Sequence, residues 1–153
     1  MPESDVEILL VEDSPEDAEL TLHSLRRNNL ANRIYWAKDG EEGLDFLLCR
    51  GKFTDRSFQH PPKVVLLDLK LPKVDGLEVL RQLKDDPRTR SIPVVVLTSS
   101  REEADVVRGY RNGANSYVQK PVEFEQFREA VRQLGLYWLV TNEAPPETTF
   151  SRG

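Results

Sequence analysis

The sequence predicts an α/β fold: a doubly wound, five-stranded parallel sheet covered by five helices. Three observations predict it. Short apolar runs alternate with stretches whose apolar residues recur every three or four positions, the order of a repeating β–α chain. Three of the runs, Ile8-Leu9-Leu10-Val11, Val64-Val65-Leu66-Leu67 and Val94-Val95-Val96-Leu97, are uniformly apolar, as strands buried on both faces are. Each gives way at once to polar residues, Glu12-Asp13, Asp68 and Thr98-Ser99-Ser100, where a strand meets its loop.

The elements follow in order. Glu7 to Val11 is the first strand. Ser14 is a natural N-cap, Pro15 suits the first helical position, and Glu16 and Asp17 complement the helix dipole. Ala18, Leu22 and Leu25 carry that helix toward Asn28-Asn29. Asn32 to Ala37 is a second strand of mixed pattern, and Asp39-Gly40 opens a second helix with Leu44, Leu47 and Leu48. Gly51 to Pro62 reads as a long polar loop without regular structure. The third strand leads through Leu71-Pro72, which resists helix, to Asp75, the N-cap candidate of a third helix. That helix carries Leu77, Val79, Leu80 and Leu83 and ends before Pro87.

After the fourth strand, Ser100 is a cap for a fourth helix, Glu102 to about Arg111, which Gly113 closes. Asn115 to Gln119 is a short fifth strand running into Lys120-Pro121. A last helix, Glu123 to about Val140, shows Phe124, Phe127, Val131, Leu134 and Trp138 at helical spacing. Residues 1–141 are expected to form one domain, and 142–153, with Pro145-Pro146, a flexible tail.

Strand order follows from burial. Strands one, three and four are uniformly apolar and belong inside, whereas two and five are mixed and belong at the edges. The order 2-1-3-4-5 satisfies this with short, right-handed crossovers. It is the flavodoxin-like order, whose ligand crevice lies at the carboxyl ends of strands one and three.

Bulk properties exclude several classes. The 153 residues are 39% apolar and 31% charged, with a net charge of -5 and dispersed Lys and Arg, so generic attraction to nucleic acid or an anionic membrane is not expected. No apolar run approaches the roughly 20 residues that span a bilayer. A single cysteine, Cys49, cannot form an internal disulfide, which points to a reducing cytoplasm. Its apolar neighbours suggest a buried small hydrophobe. His23 and His60 lack metal-ligand company.

The order 2-1-3-4-5 gathers Glu12, Asp13, Asp68, Thr98 and Lys120 on one rim, because neighbouring strands lie about 4.8 Å apart. Any one of them has a bland explanation, Asp68 as a solvated strand end for example. Three acids, a hydroxyl and a lysine together do not. Carboxylates crowded at one spot repel unless a cation intervenes. Oxygen-only ligands beside open solvent suit Mg²⁺, and the absence of Cys or His disfavours zinc. A metal, an ammonium and a hydroxyl around a carboxylate suit phosphoryl transfer, with Asp68 attacking in line to give an aspartyl phosphate.

Glu12-Asp13, Asp68 within Leu-Leu-Asp-Leu-Lys-Leu-Pro-Lys-Val-Asp-Gly, Thr98-Ser99 and Lys120-Pro121 resemble, in order and spacing, the motifs of bacterial response-regulator receiver domains. The resemblance covers about residues 6 to 140. It implies that Asp68 accepts a phosphoryl group from the phosphohistidine of a histidine kinase. It implies further that Glu12, Asp13, Asp68 and the Lys70 carbonyl hold Mg²⁺, and that Thr98 and Lys120 grip phosphoryl oxygens. Lys120-Pro121 would be a cis peptide bond, Tyr117 the aromatic that moves with Thr98, and Lys70 and Ser100 positions that tune dephosphorylation.

Asp13-Ser14-Pro15-Glu16-Asp17, the long loop before strand three and the lack of an output domain resemble the small regulators paired with bacterial phytochromes. Output would then pass through a partner. Val106, Val107, Tyr110, Phe124, Phe127 and Trp138 offer more apolar surface than one sheet face absorbs. A homodimer through the fourth helix, fifth strand and last helix is therefore expected. Two alternatives use the same groups. A phosphatase resembling the haloacid-dehalogenase type would want a second aspartate where Lys70 stands. A binding module that never takes phosphate would have no use for intact acids, Thr98 and Lys120.

Overall fold

The structure, a computed structural model, describes residues 6–26, 34–99 and 116–136. Among them five strands form one parallel sheet in the order β2-β1-β3-β4-β5, as expected. They are β1 (Ile8–Val11), β2 (Ile34–Ala37), β3 (Val64–Asp68), β4 (Val94–Thr98) and β5 (Ser116–Gln119). Every residue of β1, β3 and β4 is buried, while β2 and β5 are buried only in part. The two burial patterns are the uniform and mixed sequences of the inner and edge strands.

Among the described residues four α-helices flank the sheet: α1 (Pro15–Arg26), α2 (Gly40–Leu47), α3 (Gly76–Asp85) and a C-terminal helix (Phe124–Gln133). Alternate strand side chains feed two cores, since successive residues of a strand face opposite sides. Ile8, Leu10, Leu66 and Leu97 pack under α1 and the C-terminal helix. Leu9, Val11, Val65 and Val96 pack under α2 and α3. The fourth helix expected at Glu102 to Arg111 lies outside the described residues, as do Ser100, Gly113, Trp138 and the expected tail. No described helix is long and apolar enough to cross a membrane.

Several local expectations need correction. The C-terminal helix stops at Gln133, short of Val140. Gly135 adopts φ +79, its N–H bonds the Arg132 carbonyl and the Leu136 N–H bonds the Val131 carbonyl, a Schellman stop. Phe127 is fully buried in the first core, so it is not available to a dimer surface. Asp75 precedes α3 but makes no side-chain cap bond. Its backbone (φ -59, ψ 150) enters the helix differently from that of Asp39 (φ -158, ψ 174), whose carboxylate accepts from the Glu42 N–H.

The Gly51 to Pro62 segment is not wholly irregular, for Gly51–Phe53 forms a 3-10 turn. Phe53 packs edge-on against Tyr35 and Phe46, and the Arg56 guanidinium sits 3.6 Å over the Phe46 ring. Cys49 is half-buried and serves a backbone purpose. At φ +57 it takes the left-handed position that ends α2, with the Cys49 N–H on the Phe46 carbonyl and the Arg50 N–H on the Asp45 carbonyl.

Candidate functional site

Strand register assembles the site. Val11 pairs with Leu67, which brings Glu12 beside Asp68, and Asp68 pairs with Leu97, one residue before Thr98. The Lys120 N–H then bonds the Thr98 carbonyl at 2.7 Å, which fixes the chain leaving β5 alongside β4. Glycine lets the next helix close in beneath this rim. A Cβ on Gly76 would lie 2.4 Å from the Asp68 carbonyl oxygen and 2.5 Å from that of Leu69, so no larger residue fits there.

Glu12 and Thr98 are fully buried, Asp68 nearly so, and Asp13 is exposed. Carboxylate oxygens of Glu12, Asp13 and Asp68 lie within 4.8 Å of one another. The Lys120 ammonium sits 3.2 Å from Glu12 Oε1 and 3.4 Å from Asp68 Oδ2. The five residues singled out on the rim thus converge. Thr98 Oγ1 is buried and has no hydrogen-bond partner among the described residues, an arrangement that costs stability unless a further group accepts it. Lys120-Pro121 is a cis peptide bond, and Tyr117 is 38% exposed on β5. Lys70 lies on the exposed loop after β3 and its N–H donates to the Asp68 carboxylate.

Sequence reasoning missed two participants. Asp17, read only as a dipole-complementing acid, places Oδ2 2.9 Å from Lys120 Nζ, closer than either buried acid. Its position one helical turn after Asp13, on the helix that starts from the rim, was the available signal. Trp36, on the mixed second strand, donates from Nε1 to the Glu12 carbonyl at 2.7 Å and so fixes the end of β1. Nothing in the pattern of β2 announces that bond.

One ammonium faces several carboxylates, and their protonation reflects the shortage. Burial, aided by the Asp68 charge, pushes Glu12 up to about 7, against the opposing Ser14 N–H and Lys120. Burial also pushes Asp68 up, although Lys120 and hydrogen bonds from Glu12 and the Lys70 N–H oppose it. Burial pulls Lys120 down, but the hydrogen bond to Asp17 and the charges of Asp68 and Glu12 outweigh it and hold the ammonium above its ordinary range. A divalent cation would relieve the acids. The all-oxygen donor set, with one open side at Asp13, fits a hard cation that keeps several waters.

Fold and site define a class: a doubly wound α/β protein whose strand ends carry an acidic pocket with a lysine. A family model of the response regulator receiver domain matches residues 8–132. The chain belongs to that family, the receivers of two-component signal transduction. Among curated relatives, the probable methanogenesis regulatory protein FilR2 of Methanothrix harundinacea is 44% identical over 138 residues, covering 90% of this chain and 86% of its own. Response regulator Rcp1 of Synechocystis is 36% identical over 138 residues, covering 90% and 92%. Among solved structures, the bacteriophytochrome response regulator AtBRR matches with TM-score 0.82 and 55% identity, covering 90% of this chain and 97% of its own. The Mn(2+)-bound form of Rcp1 matches with TM-score 0.68 and 34% identity, covering 92% and 98%.

Proposed function

We propose that this chain is a phosphorylation-switched signalling module in which Asp68 takes a phosphoryl group from a partner histidine kinase. The observation that carries the reading is the buried Asp68 carboxylate, 3.4 Å from Lys120 Nζ and within 4.8 Å of the Glu12 and Asp13 oxygens. An Asp68 oxygen attacks phosphorus, the P–N bond to the donor imidazole breaks, and the imidazole keeps the bonding electrons. Lys120 and the Thr98 hydroxyl hold two of the phosphoryl oxygens, which supplies the partner that Thr98 Oγ1 lacks. Glu12, Asp13, Asp68 and the Lys70 carbonyl would hold Mg²⁺, which would supply positive charge to offset that on the phosphoryl oxygens. Beyond its own phosphorylation and dephosphorylation the chain catalyses nothing.

Thr98, drawn toward the phosphoryl group, and Tyr117, turning inward from its exposed position, form the switch. The kinase is of the phytochrome type, a reading supported by the likeness to AtBRR and by the Asp13-Ser14-Pro15-Glu16-Asp17 turn. Residues 1–141 make up the receiver and 142–153 a tail, in a cytoplasmic protein that binds no nucleic acid directly. A homodimer through the fourth helix, β5 and the C-terminal helix completes the reading. With Phe127 buried, it rests on partly exposed Phe124 and Tyr117 among the described residues. Sedimentation with and without phosphorylation checks it, and monomer under both conditions rejects it.

The phosphoacceptor assignment is tested with Mg²⁺ and phosphoramidate. The wild-type chain gains the mass of one phosphoryl group and Asp68→Asn gains none. Equal gain in both would falsify the assignment.

A further inference from the structure

The Lys120 ammonium has three protons and three acceptors: Glu12 Oε1 at 3.2 Å, Asp68 Oδ2 at 3.4 Å and Asp17 Oδ2 at 2.9 Å. The third acceptor stands apart from the family motif. Asp17 sits in the first turn of α1, where its N–H bonds Ser14 Oγ at 3.2 Å; the Ser14 N–H in turn bonds Glu12 Oε2 at 3.1 Å. The turn after β1 therefore ties the Asp17 backbone to the buried acid. Unlike Glu12 and Asp68, the Asp17 side chain is 41% exposed. It lines, with Lys120, Leu20, Thr21, Ser99 and Pro121, a groove of about 300 Å³ beside the site.

These facts impose a competition. The 3.4 Å contact to Asp68 passes to the phosphoryl group, but to close to hydrogen-bond length on it the ammonium must also move off one of its two other acceptors. Glu12 is buried, so leaving it without its cation is costly. Asp17 faces the groove, where water can take over its hydrogen bond. Its release is the cheaper. Until that happens Asp17 draws the ammonium toward α1 and adds one negative charge beside the place where a phosphoryl dianion must form.

We propose that Asp17 is a positioning residue, a releasable counter-ion of Lys120 that slows phosphoryl uptake at Asp68. The role rests on the phosphoacceptor reading above. Neutralising Asp17 without changing its shape leaves Lys120 free to lean toward the incoming group and removes the repulsion. Because the carboxylate is partly solvated, the effect of its charge is screened by salt, whereas a packing effect would not be.

The experiment uses the full chain with saturating Mg²⁺ and phosphoramidate, following phosphoryl addition by intact mass for wild type, D17N and D17E. At about 20 mM salt D17N is expected to react roughly threefold to tenfold faster than wild type, the range for removing one charge a few ångströms from a forming dianion near a protein surface. At about 500 mM salt the ratio falls toward one. D17E, which keeps the charge, stays near wild type. A D17N rate equal to or below wild type at low salt overturns the role of Asp17, as does a ratio that ignores salt or a D17E rate matching D17N. A wild-type chain that adds no phosphoryl group overturns the phosphoacceptor reading itself, and the role of Asp17 with it.

Discussion

Glu12→Gln tests the electrostatics of the pocket directly. Glu12 is fully buried, and that burial pushes its carboxyl up to about 7 from the 4.5 of a free glutamate side chain. Between those two values the folded chain holds a proton that the unfolded chain has lost. Stability in the absence of metal therefore falls as pH rises through this window, and the loss is complete above about 7. At about 1.4 kcal/mol per pH unit, the penalty reaches roughly 3 kcal/mol. Glutamine keeps the shape and cannot ionise. In EDTA, Glu12→Gln is thus expected to lie within about 1 kcal/mol of wild type near pH 5 and to exceed its stability by roughly 3 kcal/mol at pH 7.5. Urea unfolding at both pH values measures the difference. Saturating Mg²⁺ should close most of the gap by stabilising wild type. A variant less stable than wild type at pH 7.5 in EDTA would show that Lys120 already compensates the buried acid, and the argument for a missing cation would collapse.

Other expectations follow from single contacts. Gly76→Ala places a methyl against the Asp68 and Leu69 carbonyl oxygens; it should cost about 2–3 kcal/mol in urea unfolding and slow phosphoryl uptake. Leu20 is 54% exposed and lines the groove beside Lys120. If the partner kinase docks on this apolar patch, the charge-free change Leu20→Ala should weaken phosphotransfer from it roughly tenfold while leaving the phosphoramidate reaction unchanged; a matched loss in both assays would refute docking there. Cys49→Gly should stabilise the protein by about 0.5–1 kcal/mol in thermal or urea unfolding, since only glycine adopts the left-handed stop of α2 without strain.

The sheet was readable because burial on two faces and on one face leave different residue patterns. Val64-Val65-Leu66-Leu67 admits no solvent-facing position, whereas Ser116-Tyr117-Val118-Gln119 is mixed; that contrast sorts inner strands from edges, and short right-handed crossovers then order them. The rim acids, Thr98 and Lys120 were readable because each ends a strand, so strand order brings them together whatever their rotamers. Asp17 and Trp36 were not, since their contacts depend on the angle at which α1 leaves β1 and on how far an edge-strand indole reaches. The C-terminal helix was overextended because apolar spacing continues through Leu134 to Trp138 across Gly135. Periodicity does not register the positive φ that stops the helix there. Cys49 looked like a core residue by its neighbours, but its place is dictated by the backbone that ends α2.

Locating the phosphoryl group tests the central claim most directly. An acyl phosphate is reduced by borohydride to an alcohol, which marks the modified carboxylate permanently for peptide mapping. After phosphotransfer in Mg²⁺, the mark is expected at residue 68 and nowhere else. A mark on Glu12, Asp13 or Asp17, or a phosphoryl group on a serine or threonine that borohydride leaves intact, would contradict the account.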